Sequence, residues 1–412
     1  MGDAPRERIR PGGRRRAMPE VHVSQVIPLS KPDILDEDVL EVAEVLRSGR
    51  LTLGPKLDQF ERLVAWRAGR PYAIAVGSAA SAMNLGLLAL GVGPGDEVVA
   101  PAFAFAGTVN GILHVGAKPV FVDCDPGSLN MCLADAERKI SERTKCVIGA
   151  SVFGNPAGMR ELASLCARFE VPLLEDAGGG IGTTIGREAV GRFGRIAVCS
   201  FYPNKPVTTG EGAVIVTHDD RVAELCRSMR NQGRPVAEAP RHLHIPGLGS
   251  WLDHERLGFS CRMSDLNAAL GVSQMRRLDE TIRLRQLVAD AYFRRLIDHA
   301  DLILPTIAPE TRMSWSVYVV RLSDRFTQQD RDEIIAGLRR HDIGACNYFP
   351  PAPLLPHFRK PFGFRPGDFP VTERVSQRTL ALPFFTRLTE REQDLVCQTL
   401  TLMMKRMVFA RE

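Results

Sequence analysis

Along the first half of the chain, short unbroken apolar runs alternate with stretches in which apolar residues return every three or four positions. The runs at 72–76, 97–100, 119–122, 145–150, 171–174, 196–201 and 213–217 read as buried strands. The stretches at 79–90, 106–115, 133–141 and 159–169 read as helices. Two more helices are expected upstream. In the first, Asp36 can cap a face of Val39, Leu40, Ala43 and Leu46 that Gly49 ends, and the second covers about 57–68. Alternation of this kind predicts an α/β fold with a mostly parallel sheet sandwiched by helices. From Ser264 a broad apolar stripe (Leu266, Leu270, Leu278, Ile282, Val288, Tyr292, Leu296) predicts a connecting helix within 264–302. Beyond it, a strand at 315–322, a helix at 328–341 and a closing helix from Glu390 predict a smaller C-terminal α+β domain over 303–412. The large domain is then 26–263, with a Pro-, Gly- and His-rich loop at 230–251, and residues 1–25 form a disordered basic tail.

Composition narrows the function classes. A chain of 412 residues can hold two domains and a large core. Much of its net charge of +5 comes from the tail, where Arg6, Arg8, Arg10 and Arg14 to Arg16 stand against Asp3, Glu7 and Glu20. The body is close to neutral, which argues against a nucleic-acid partner. Nine cysteines, scattered without C-x-x-C spacing, fit reduced thiols in the cytoplasm rather than disulfides or a zinc site. His242 and His244 lack a third ligand candidate, so no metal is expected. No apolar run reaches membrane-spanning length, and the leader lacks the apolar core of a secretion signal.

The candidate chemistry lies between two of the buried runs. The strand at 196–201 breaks at Pro203, offers Lys205, and turns through Gly210 and Gly212 into the next apolar run. Lysines in turns are mostly solvated. A desolvated lysine, in contrast, has a lowered pKa and attacks carbonyl carbons. Another run ends in Glu175-Asp176, and neighbouring strand ends could bring Asp176 and Lys205 to one crevice at the carboxyl edge of the sheet. Glu175 should point the other way, because side chains alternate along a strand. A buried carboxylate wants a cationic partner, and a protonated pyridine nitrogen is one. Pyridoxal phosphate needs such a carboxylate, a lysine for its aldehyde and a phosphate cradle. The cradle has two candidates, the Ser200 hydroxyl and the helix start at Gly77-Ser78-Ala79-Ala80. The glycines at 178–186 do not keep the G-x-G-x-x-G register, since Thr183 and Ile185 fall on the third-glycine positions.

An ordered set of motifs carries a resemblance. Gly77-Ser78-Ala79-Ala80-Ser81, the Gly91 to Val99 stretch, Pro119 to Asp123, Glu175-Asp176-Ala177 and Ser200-x-x-x-x-Lys205 come first. Gly210-Glu211-Gly212, Met229 to Gly233, Leu257-Gly258-Phe259 and Arg262-Met263 follow, then Ser314 to Leu322, Asn347 to Pro351 and Leu382 to Phe385. Together, from about Ile27 to Thr401, they resemble the DegT/StrS family of sugar aminotransferases, pyridoxal-phosphate enzymes of fold type I, in the branch that includes perosamine synthases.

The resemblance implies a transfer of an amino group from glutamate or glutamine to a keto sugar, expected to be nucleotide-linked, by a homodimer with shared active sites. It implies that Lys205 holds the cofactor's aldehyde and then moves protons, and that Asp176 faces the ring nitrogen. Phe105 would stack on the ring. Ser78, Ala79 and Ser200 would meet the phosphate, and Asn231 would reach it from the other subunit. His254 falls near an expected sugar position; apart from the resemblance, Arg262 or the Arg276-Arg277 pair could meet a diphosphate of the substrate. Two residues depart from the family pattern. Gly179 stands where a polar side chain is usual near the cofactor or substrate, and Ser260 stands where Asn is frequent. Gly179 keeps open a non-catalytic or regulatory relative that binds pyridoxal phosphate or a sugar ligand. A pyridoxal-phosphate-dependent sugar dehydratase is the other alternative. That branch carries histidine at the lysine position, so Lys205 favours transamination.

Overall fold

The computed structural model describes residues 26–235 and 254–409. The expected tail at 1–25, most of the expected 230–251 loop, His242 and His244 lie outside the described residues. In chain order the first elements are α1 (Asp36–Ser48), α2 (Pro55–Ala68), β1 (Tyr72–Val76), α3 (Ala79–Ala89), β2 (Glu97–Pro101), α4 (Ala106–His114) and β3 (Lys118–Val122). Then come α5 (Leu133–Lys139), β4 (Thr144–Ala150), α6 (Met159–Arg168), β5 (Leu173–Asp176), β6 (Thr184–Ile185), β7 (Glu188–Ala189), β8 (Ile196–Ser200), β9 (Ala213–Thr217) and α7 (Asp220–Arg230).

Seven of these strands form one sheet in the order β1-β9-β8-β5-β4-β2-β3. The pairs β2/β3, β2/β4, β4/β5 and β5/β8 are parallel, while β9 is antiparallel to both β1 and β8. All strands but β9 therefore run the same way. The carboxyl ends of β1, β2, β4, β5 and β8 and the start of β9 gather on one edge, where α/β sheets bind ligands. The sheet is covered on both faces. Ile74, Ile148, Leu174 and Ile196 pack with α3, α4 and α7, whereas Ala75, Ala197, Val214 and Val216 pack with α2 and the helices that follow. Each fully buried Leu, Ile or Phe side chain contributes about 1.5–3 kcal/mol relative to exposure.

The rest of the chain comprises α8 (Asp265–Arg276), α9 (Leu278–Leu296), β10 (Leu302–Ile303), β11 (Thr311–Arg312), β12 (Tyr318–Leu322), α10 (Gln328–Arg340), α11 (Pro356–Phe362), α12 (Pro370–Ser376), β13 (Thr379–Leu382) and α13 (Glu390–Phe409). The expected long connector is thus two helices, broken at Arg277, which lies at φ −110°. Arg277 turns instead to Asp33 and Asp38. Leu278 and Ile282 belong to a core under the large sheet, and Val288, Tyr292 and Leu296 belong to a second core with β12, α10, β13 and α13. The strand expected from 315 begins only at Tyr318, because Trp315 sits at φ +53°, outside strand geometry.

Helix α1 corrects the sequence reading. Its N-cap is Leu35, not Asp36, and Asp38 reaches back to accept the Leu35 N–H at 2.9 Å. The apolar face faces out, with Val39, Leu40 and Leu46 each 58% exposed. The buried side carries Asp38, which accepts from Gln274 and Arg277 at 2.8 Å each. Ion pairs and amide bonds to α8 and the Arg277 break set the orientation, and hydrophobic periodicity does not.

Candidate active site

The carboxyl edge of the sheet opens into a cavity of about 580 Å³. That volume lies within the range for small-molecule and cofactor sites. Asp176 ends β5 and Lys205 follows β8, and both side chains line this cavity. Parallel pairing of Asp176 with Val198 fixes the relation of the two strand ends. The segment carrying Lys205 is tied down by main-chain bonds. Lys205 N donates to Tyr202 O, Thr209 N to Phe201 O, and Phe201 N to Gly212 O, at 2.9, 2.9 and 3.0 Å.

Glu175 and Asp176 have opposite fates, as strand alternation predicts. Glu175 is fully buried on the far face, where it accepts N–H bonds from Gly191, Phe193 and Gly194. Burial pushes its pKa up, and those three bonds pull it back. Asp176 faces the cavity, where Oδ2 accepts from the Thr108 hydroxyl at 2.5 Å and Oδ1 from the Gly178 N–H at 2.9 Å. A Cβ at 178 would stand 2.8 Å from Asp176 Oδ1, so a larger residue there would displace the carboxylate. Burial pushes the Lys205 amine below its ordinary range; Asp176 raises it again and the Arg285 guanidinium lowers it further.

The first turn of α3 also reaches the cavity, at Ala79 and Ala80. The Ser78 hydroxyl accepts the Ser81 N–H at 3.1 Å, and the first intrahelical bond runs from Ala82 N to Ser78 O at 3.0 Å. The N–H groups of Ala79 and Ala80 precede that ladder and point out of the helix end, where an anion is favoured. Two further polar atoms are buried on the cavity wall without a protein partner, Asn204 Oδ1 and Ser151 Oγ. A carboxylate, an amine, a helix N-terminus and an unpartnered hydroxyl around one cavity fit the ring, aldehyde and phosphate of pyridoxal phosphate.

Ala79, Phe105, Asp176, Gly179, Ser200 and Lys205 are brought together in the cavity wall. Phe105 is 63% exposed at its mouth and tilts against Phe349 at 6.0 Å. Ser78 caps α3 beside it. Asn231, Arg262 and His254 do not line the cavity of their own chain. Arg262 donates to Asn231 Oδ1 at 3.1 Å, and His254 is exposed. The sequence reading missed Thr108, Ser151, Asn204, Ser316 and the Tyr348-Phe349 pair, all of which line the cavity. Asn204 could have been suspected from its place beside Lys205. Thr108 lies one helical turn beyond Phe105, which gave no signal of its carboxylate partner. Among the described residues, no group of three or more His, Cys, Asp or Glu could hold a metal ion.

A family model described as DegT/DnrJ/EryC1/StrS aminotransferase matches residues 32–401. The chain is 34% identical over 370 residues to the spore coat polysaccharide biosynthesis protein SpsC of Bacillus subtilis, spanning 89% of this chain and 94% of SpsC. Among solved structures, it is similar to Spr1654 from Streptococcus pneumoniae, a provisionally assigned sugar aminotransferase in its PMP form. The TM-score is 0.85 at 26% identity, covering 92% of this chain and 99% of that one. The aminotransferase TlmJ from Streptoalloteichus hindustanus gives 0.82 at 28% identity, covering 92% and 98%. The likeness identifies the sheet and its helices as the fold type I architecture of pyridoxal-phosphate enzymes.

Proposed function

The chain belongs to the DegT/DnrJ/EryC1/StrS family of pyridoxal-phosphate-dependent sugar aminotransferases, and from that premise we propose that it moves an amino group from glutamate or glutamine to a nucleotide-linked keto sugar. The observation that carries this reading is the convergence of Lys205 and Asp176 on one cavity. Pyridoxal phosphate supplies an aldehyde that condenses with amines and a ring that takes up an electron pair. Lys205 would hold the aldehyde, and its amine would serve as the base and acid that moves a proton at the reacting carbon. Asp176, steadied by Thr108 and the Gly178 N–H, would favour the protonated ring nitrogen. Ser200, the Asn204 amide, Ser78 and the N–H groups of Ala79 and Ala80 would receive the phosphate and ring oxygens, and Phe105 would cover the ring.

The reading includes a homodimer with shared sites. It is supported by the outward apolar stripe of α1, which continues into exposed Leu51 and Leu53, and by the position of Asn231 outside its own chain's cavity. It also divides the chain into a cofactor-binding portion over 26–263, a connector over 264–302 and a smaller portion over 303–412, supported by the two cores that α9 joins. The nine unpaired cysteines, six of them buried, support a cytoplasmic setting. Among the described residues, no helix is long and apolar enough to cross a membrane.

Borohydride reduction followed by peptide mapping tests the core of this proposal. A pyridoxyl group on Lys205, lost in Lys205→Ala together with at least ~10³-fold in turnover, is the expected result. Turnover by Lys205→Ala at the wild-type rate would sink it. Absorbance changes on adding glutamate or glutamine then identify the donor.

A further inference from the structure

Gly179 lies in the cavity wall three residues after Asp176, and a residue far along the chain occupies the space beside it. A Cβ at 179 would stand 2.6 Å from Ser316 Oγ and 3.1 Å from Ser316 Cβ. Ser316 thus fills the volume that a side chain at 179 would need. Its segment is clamped on both flanks. On one side, the Ser314 hydroxyl contacts Gly179 O at 3.2 Å, and Ser314 N donates to Thr183 Oγ1 at 3.0 Å. On the other, the buried Arg285 guanidinium donates to Trp315 O at 2.7 Å and Ser316 O at 3.4 Å. Trp315 adopts φ +53°, an uncommon conformation for a bulky residue, and its indole N–H is held by Gln286 Oε1 at 2.8 Å. The segment is over-determined in a way that a mere connection would not need.

The Ser316 hydroxyl is buried, yet it lines the cavity, and its protein acceptor, Phe153 O, is 3.4 Å away. A bond that long is readily exchanged for a better one. The neighbouring lining, Phe153, Gly154, Gly179 and Val317, is uncharged, and the Arg285 charge behind it does not line the cavity but is engaged by the Trp315 and Ser316 carbonyls. A lone hydroxyl on an uncharged wall suits a neutral polar ring, because it both donates and accepts. A carboxylate of the amino donor would want a cation instead.

We propose that Ser316 is a specificity-determining residue whose hydroxyl bonds an oxygen of the keto sugar, at the place that a side chain on residue 179 would otherwise occupy. This rests on the aminotransferase reading above. It adds that the acceptor sugar, and not the amino donor, is what this wall selects.

The test separates the two half-reactions of the holoenzyme. After donor loading, wild type and Ser316→Ala are mixed with three probes, the dTDP-, GDP- and UDP-linked 4-keto-6-deoxyhexoses. For the probe that wild type consumes, Ser316→Ala should raise KM about tenfold, as expected for one lost hydrogen bond, with kcat within roughly twofold. The donor half-reaction and the pH titration of cofactor absorbance should not change. The swap Gly179→Ser with Ser316→Gly returns a hydroxyl from the opposite side and should recover most of the lost affinity, which a merely disturbed wall would not. An unchanged KM in Ser316→Ala overturns the proposal, and so does a shifted cofactor titration, which would put the hydroxyl on the cofactor. If wild type consumes no probe or takes no amine from glutamate or glutamine, the underlying reading falls as well.

Discussion

The cavity has two kinds of wall. One is made of strand ends: Asp176 at the end of β5, Ser200 at the end of β8, and Lys205 in the loop that the β8–β9 ladder closes. The other is made of segments outside the ladders, Ser316-Val317 and Tyr348-Phe349. The first wall takes its positions from backbone pairing and needs no special side chains to hold it. The second is fixed piecemeal, by the buried Arg285, by the Ser314 contacts and by aromatic packing such as Phe153 against Phe349 at 5.5 Å. On the proposed reading, reactive groups sit where the scaffold defines position most tightly, and the residues that choose among substrates sit on segments the scaffold leaves easier to revise. If this division holds, damage to the first wall should abolish chemistry for every substrate, and damage to the second should change loading, stability or selection.

The largest expected effect is on the strand-end wall. Asp176→Asn keeps the shape and removes the charge that the proposed reading sets against the ring nitrogen. A loss of about 10²–10³-fold in kcat is expected for both half-reactions, the size seen when one preorganised electrostatic group is removed. Stopped-flow absorbance on each half-reaction checks it. A defect confined to one half-reaction would erase the distinction between the walls.

Next comes Arg285, which belongs structurally to the second wall but acts electrostatically on the first. Burial pulls its guanidinium down to about 10, so it stays charged at neutral pH, and this charge is one of the influences that lower Lys205. Removing a like charge favours the ammonium form and raises the lysine pKa. Capture of pyridoxal phosphate by the apoenzyme needs the neutral amine, so Arg285→Met should move the pH profile of capture upward. The same change leaves two buried carbonyls without their donor and should cost about 1–3 kcal/mol in stability. Arg285→Lys keeps the charge, and its capture profile should stay near wild type. Capture rates across pH and a denaturant titration separate the two effects. A downward shift in Arg285→Met would show that the charge does not act as assigned.

Thr108→Val removes a hydroxyl that donates to the Asp176 carboxylate at 2.5 Å. Because hydrogen bonds to charged groups are the stronger kind, roughly tenfold in kcat is expected for both half-reactions, with KM for the sugar little changed. A rise in sugar KM alone would move Thr108 to the selecting wall.

The two walls also differ in how far the sequence discloses them. The alternation of apolar runs and helical stripes is enough to place β5 and β8 as buried strands, and therefore Asp176 and Lys205 at one edge. Hydrophobic periodicity is what builds that part of the fold. Ser316, Tyr348 and Phe349 escape the same reasoning. Their approach to Gly179 and Phe105 is set by contacts more than a hundred residues apart and by a positive φ at Trp315, neither of which leaves a local pattern. Helix α1 is instructive in another way. Its stripe is legible, but its orientation follows Asp38 bonding to Gln274 and Arg277, so the apolar face lies outside. A periodicity marks a face without saying which way it turns.

The smallest effect is the most discriminating for the second wall. Gly179→Ala adds one methyl group, and no backbone strain is expected because Gly179 is not in the left-handed region. The methyl would collide with Ser316 Oγ, so overpacking should destabilise the protein by about 1–3 kcal/mol. Ser316→Gly in the same chain removes both atoms that collide, and the next contact of the new Cβ is Gly154 N at 3.5 Å, an ordinary approach. The double variant should therefore recover most of the stability that Gly179→Ala loses, giving a coupling of about 1 kcal/mol or more in a double-mutant cycle. Catalysis on the strand-end side should stay intact throughout, because neither substitution touches Asp176, Thr108 or Lys205. Additive effects, with no recovery in the double variant, would mean that Ser316 does not occupy the space beside Gly179 in solution, and the contrast between a wall fixed by pairing and a wall fixed by mutual filling would lose its second half.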